Sequence, residues 1–188
     1  MLSQFQTSYI TPNGSISANT IKLTIAGDGG VGKTSLCSAF TTGRISAAYN
    51  MTIGAEIFSM PVENPIDGRQ TKLLVFDLAG QDRFNCVRDL FYKGTKAAII
   101  VFSLANRGSF YDLAMWIREL QREAPGTPII LVGNKKDLNR EVSAEEAKKV
   151  ADEHGAPYFE TSAANGENVK EIFYTATLLA MRNSVCVY

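Results

Sequence analysis

Residues Gly27-Asp28-Gly29-Gly30-Val31-Gly32-Lys33-Thr34 follow the pattern G-x-x-x-x-G-K-[ST]. Its chemistry is the holding of phosphate. Glycines let backbone N–H groups turn inward around phosphate oxygens, where side chains would obstruct them. Lys33 reaches the β- and γ-phosphates, the Thr34 hydroxyl can ligate Mg²⁺, and the helix that starts here, with Ser35 in its first turn, directs its positive dipole end at the anion. The plainer alternative is a glycine-rich strand-to-helix turn with a surface lysine. Alone, the motif implies a nucleoside triphosphate and not which one.

The base is addressed about a hundred residues further on by Asn134-Lys135-Lys136-Asp137. A carboxylate at Asp137 accepts two parallel hydrogen bonds from guanine N1–H and the exocyclic amine. Adenine offers neither donor and leaves the desolvated carboxylate unpaired. The Lys135 stem can lie along the base plane. Taken alone, this tetrapeptide reads equally well as a solvated loop; the phosphate loop tips the balance. Ser162-Ala163-Ala164 would bring a backbone N–H near the guanine O6, and read alone it is a turn into a helix with a serine cap.

A third group addresses the terminal phosphate. In Asp77-Leu78-Ala79-Gly80-Gln81 the carboxylate can hold Mg²⁺ through water, the Gly80 N–H can meet the γ-phosphate, and Gln81 can orient the attacking water. Thr52 is the candidate second Mg²⁺ ligand. A lone threonine in a loop is ordinarily a loop threonine; its weight comes from lying between the phosphate loop and Asp77, where a switch segment must lie.

These residues need elements to place them. Residues 21–26 alternate into the glycine turn as a strand, and 33–40 read as a helix. Strand-like runs at 55–62 and 71–77 flank Asn64-Pro65-Ile66-Asp67-Gly68, a hairpin turn signal, so they pair antiparallel. Apolar runs at 97–102, 129–132 and 158–160 then alternate with helical stretches at 109–123, 143–154 and 168–182. Ser143-Ala144-Glu145-Glu146 is a capping box. The pattern predicts an α/β fold with a doubly wound, mostly parallel six-stranded sheet and one antiparallel edge strand. Every motif above falls at a strand end of the kind where open α/β sheets bind ligands. Residues 1–19 read as a polar extension, 20–183 as the folded domain and 184–188 as a short tail.

Composition adds bounds. The chain has 188 residues, 45% hydrophobic and 20% charged, enough for one well-filled core. Lys plus Arg and Asp plus Glu both total 19, so no overall field favours nucleic acid, and none is expected as a partner. Cys37, Cys86 and Cys186 show neither metal-ligand nor disulfide spacing, which fits a reducing compartment. No run approaches the roughly 20 apolar residues of a membrane span.

As a set, these motifs resemble the Ras superfamily of small GTPases, over about residues 21–182, and within it most closely the Rab family. The Rab character lies in Thr52-Ile53-Gly54-Ala55-Glu56, Arg83-Phe84, Phe91-Tyr92-Lys93-Gly94 and Trp116. The resemblance implies a Ras-like G domain that binds GTP or GDP with Mg²⁺ and hydrolyses GTP slowly. It also implies switch segments near 45–57 and 79–93, and exchange-factor, GTPase-activating and effector partners, with vesicle trafficking as the setting. Phe76 stands where Rab proteins usually carry tryptophan, Ile57 where they carry phenylalanine, and Ile45 where an aromatic residue packs on guanine. No arginine immediately precedes Thr52, so a partner would supply it, and Gly29 leaves room. The last residues, Asn183 to Tyr188, lack the paired cysteines and basic tail of prenylated relatives. A cytoplasmic location without a lipid anchor is the expectation, or a peripheral membrane one if the sequence is truncated. Two other readings stand beside this one: a guanine-nucleotide scaffold without useful hydrolysis, and an ATP-using enzyme, which Asp137 disfavours.

Overall fold

The computed structural model describes residues 20–43, 52, 54–63, 68, 70–80 and 85–185, with the backbone alone for 85–88, 184 and 185. Gln81, Ile45, Arg83-Phe84, most of the 64–68 turn and residues 1–19 lie outside the described residues.

The chain begins with β1 (Thr20–Ala26) and α1 (Lys33–Thr42), followed by β2 (Ala55–Glu63) and β3 (Gln70–Leu78). Next come α2 (Asn85–Tyr92), β4 (Ala97–Ser103), α3 (Arg107–Tyr111) and α4 (Leu113–Glu123). It closes with β5 (Ile129–Asn134), α5 (Ala144–Glu153), β6 (Tyr158–Glu160) and α6 (Val169–Val185). The six strands form one sheet in the order β2-β3-β1-β4-β5-β6. β1, β3, β4, β5 and β6 run parallel, and edge strand β2 runs antiparallel to β3.

The period-two alternation of the central strands divides the core. Ala97, Ile99 and Val101 of β4 pack with Ile130 and Val132 of β5 in a cluster that takes in Leu36 of α1 and Ile172 and Phe173 of α6. The intervening Ala98, Ile100 and Phe102 face Leu113, Trp116 and Leu120 of α4 and Ala147 of α5 on the opposite side. A strand buried on both faces with helices over each is the doubly wound arrangement expected from the sequence.

One departure concerns the helix expected at 109–123. It is two helices, α3 and α4, separated by Asp112 at φ −77°, ψ −6°. Asn106 starts α3 early by accepting from the N–H groups of Gly108 and Ser109. The capping box at Ser143 is present, with Ser143 Oγ accepting from Glu146 N at 3.2 Å and Glu146 Oε2 accepting from Ser143 N at 2.9 Å. Because β2 is reversed, its N-terminal end meets the carboxyl ends of the other five strands, so the residues before it share their edge.

Candidate nucleotide site

All described candidate residues lie along that carboxyl edge, in two groups. At one end, β1 leads through the glycine turn into α1. The residue before the helix is Gly32, at φ 101°, and a Cβ there would run into the Asn134 amide. Only glycine takes that backbone comfortably. With no side chain at Gly32 and no acidic residue in the first turn of α1, the N–H groups of that turn face outward at the positive end of the helix. Gly29 and Gly30 are exposed at the tip and Val31 is buried beneath them. Lys33 is buried, its Nζ donating to the carbonyls of Gly27 at 2.7 Å and Asp28 at 2.8 Å. Ser35 stands in the first turn of α1.

Beside this loop three oxygen-bearing side chains converge. Thr34 Oγ1 donates to Asp77 Oδ2, lies 3.0 Å from Thr52 Oγ1, and Thr52 Oγ1 is 3.5 Å from the same carboxylate oxygen. Asp77 is fully buried, and its Oδ1 has no hydrogen-bond partner among the described residues. Burial pushes the Asp77 carboxyl up to about 6, with Lys33 and the threonine hydroxyls opposing the rise. A buried carboxylate oxygen left unpartnered is unfavourable. Together with two hydroxyls it makes a hard, all-oxygen donor set of the kind that suits Mg²⁺. Gly80 lies three positions after Asp77. Its carbonyl accepts from Gly29 N at 3.1 Å, and a Cβ on Gly80 would overlap the Asp28–Gly29 peptide, so the two backbones meet with no room for a side chain.

The second group surrounds Asn134, at the end of β5. Its Nδ2 donates to the Val31 carbonyl at 2.9 Å, and its Oδ1 accepts from Thr161 Oγ1 at 3.0 Å and Ala163 N at 3.2 Å. One buried amide thus ties the phosphate loop, β5 and the segment after β6 together. Lys135 takes a left-handed backbone at φ 65°. Lys136 N donates to the Thr161 carbonyl at 3.0 Å, and Asp137 Oδ1 accepts from Ser162 Oγ at 2.5 Å. Ala164 is exposed just beyond Ala163. Lys136 pairs with Glu167, and Arg140 with Glu160 at 2.6 Å, around the outside.

The sequence assigns no role in the site to three residues, Thr161, Asp28 and Trp116, that the structure ties to it. Thr161 is fully buried against Asn134, and its place directly before Ser162 was the only available signal. Asp28, inside the phosphate motif, accepts a hydrogen bond from Trp116 Nε1 at 2.7 Å. Burial raises the Asp28 carboxyl most; the indole opposes that rise, and the nearby Asp112 adds to it. No spacing rule connects positions that lie 88 residues apart.

Comparison with known proteins agrees with this geometry. The Ras family profile matches residues 22–182. The Ras-related protein RABF2b of Arabidopsis thaliana is 41% identical over 156 residues, covering 81% of this chain and 77% of that protein. The Ras-related protein Rab5 of Nicotiana tabacum is 39% identical over the same shares, and the Ras-related protein RAB1BV of Beta vulgaris is 36% identical over 82% of this chain and 73% of its own. At such identity over most of both lengths, together with the profile match, the chain belongs to the Ras family of small GTPases and is Rab-like within it.

Proposed function

We propose that residues 20–183 form a guanine-nucleotide switch that binds GTP with Mg²⁺, hydrolyses it slowly to GDP and phosphate, and passes the difference between the two states to effector proteins in vesicle trafficking. The observation that carries this reading is the meeting of Thr34 and Thr52 at Asp77 Oδ2, beside an Oδ1 of the same carboxylate that the described residues leave unpartnered. Thr52 belongs to the segment ahead of edge strand β2, so its presence at the donor set ties a separate stretch of chain to the nucleotide.

In this reading the N–H groups from Gly29 to Ser35 wrap the phosphates, Lys33 offsets their charge, and Gly80 N–H meets the γ-phosphate. Asp137 reads the guanine edge, Lys135 lies along the ring, and Ser162, Ala163 and Ala164 close over O6. Asn134 holds these segments in register. Thr34 and Thr52 would ligate Mg²⁺, and Asp77 would act through water. The ion, when bound, neutralises charge on the β- and γ-phosphate oxygens. Gln81 aligns the attacking water, and positioning with electrostatics supplies most of the catalysis. An arginine from an activating protein would accelerate the step by about 10³ to 10⁵. An exchange factor would restart the cycle. Among the described residues no helix is long and apolar enough to cross a membrane; the proposed location is cytoplasmic or peripheral at a membrane.

Single-turnover hydrolysis tests the reading. Gln81→Leu should slow it by about 10²-fold or more, while GTP binding holds at the parental level. Equal rates in parent and variant would remove Gln81 from the chemistry. A parent chain that holds GTP without turnover would turn the assignment into a nucleotide-bound scaffold.

A further inference from the structure

The sequence contains one tryptophan. Trp116 is 1% exposed, packed by α4 into the core on one face of the sheet. A buried indole N–H ordinarily finds a nearby partner. Here the partner is the Asp28 carboxylate, on a loop at the edge of the sheet. Three contacts meet at the Asp28–Gly29 peptide. The Asp28 side chain is held by Trp116, its carbonyl by Lys33 Nζ at 2.8 Å, and the next N–H, that of Gly29, rests on the Gly80 carbonyl at 3.1 Å. The indole is a rigid donor locked by core packing, whereas the tip beyond Asp28 consists of exposed glycines with no side chains of their own to hold them. A charge-assisted bond from a fixed ring therefore anchors the Asp28 side chain, while the Lys33 ammonium holds the carbonyls of Gly27 and Asp28.

We infer that Trp116 is a positioning residue for the terminal phosphate, acting through Asp28 to set where the Asp28–Gly29 peptide, and with it Gly80, stands. This rests on the proposed placement of Gly29 and Gly80 about the γ-phosphate. Trp116 touches no nucleotide in this arrangement. Its effect is on alignment, to which in-line transfer is sensitive.

The test compares the parent chain with Trp116→Phe, Asp28→Ala, the double variant and Asp28→Asn, in single-turnover GTP hydrolysis with saturating Mg²⁺, well below the melting temperature. Trp116→Phe and Asp28→Ala should each slow hydrolysis about fivefold or more, and the double variant no more than either. Asp28→Asn, whose amide oxygen still accepts from the indole, should recover most of the loss. Asp28→Ala removes no core atom, so it decides the matter even if Trp116→Phe folds poorly. Asp28→Ala within twofold of the parent, single effects that multiply in the double variant, or no recovery in Asp28→Asn would each overturn the inference. Release of a fluorescent GDP derivative is followed in parallel. A parent that binds GDP but does not hydrolyse GTP would count against the proposed catalysis alone. The brace would then be read from GDP release, expected to quicken by one common factor of about fivefold in both single variants and overturned if it does not.

Discussion

The two ends of the nucleotide edge are built differently. Around Asn134 the buried polar atoms find partners within the chain: one amide bridges Val31, Thr161 and Ala163, and Asp137 is already held by Ser162. Around Asp77, a buried carboxylate oxygen is unpartnered among the described residues and the first turn of α1 has no side-chain cap. Under the proposed function, the base end is prebuilt and the phosphate end would be completed by what it binds. This division suits a switch, because recognition of guanine stays constant while contacts that depend on the terminal phosphate appear and vanish.

The contrast can be attacked from either end. Lys33→Ala removes an ammonium held by two loop carbonyls. Triphosphate affinity should fall about 10³-fold, equivalent to about 4 kcal/mol, by equilibrium titration. The nucleotide-free protein should lose less melting temperature than the next variant does. Asn134→Ala strips partners from the Val31 carbonyl, the Thr161 hydroxyl and the Ala163 N–H. It should lower stability by about 3 kcal/mol, a drop of about 10 °C in thermal unfolding without nucleotide. If Lys33→Ala proved the more damaging to the nucleotide-free fold, the proposed division of labour would be wrong. Asp137→Asn should weaken GTP by about 10²-fold, while xanthosine triphosphate, which carries an oxygen acceptor at C2, gains in competition binding. An unchanged preference would show that the base is read elsewhere. The smallest effect belongs to Lys136→Ala, which breaks a half-exposed pair with Glu167. It should change stability by less than about 1 kcal/mol; a loss near that of Asn134→Ala would mean that the outer ion pairs, rather than the buried amide, hold the base end.

Much of this edge was legible in the residues themselves. The phosphate loop declares itself because its glycines, lysine and threonine are adjacent, and the buried strands because β4 and β5 are apolar on both faces. The capping box at Ser143 is equally local. What escaped is non-local or depends on dihedral angles. Asn134 reads from the sequence as a guanine-binding residue; that its side chain also bonds to Val31, Thr161 and Ala163 is something a linear pattern does not reveal. The apolar spacing from Phe110 to Leu120 runs on through Asp112 with no proline or glycine at the break, so the separation of α3 from α4 had no sequence mark. The hydrogen bond between Trp116 and Asp28 depends on the sheet bringing β1 and α4 together.

The reversed border strand has one further consequence. β2 is hemmed on one side only, by β3, so a displacement of the chain at Thr52 disturbs a single ladder where an interior strand would disturb two. Ile57, three positions from Gly54 and 47% exposed on this strand, is carried by the same margin. A shift at the donor set would therefore reach the outside of the molecule by disturbing the β2–β3 ladder alone, and in the proposed function a partner resting on that flank would register the nucleotide without approaching it.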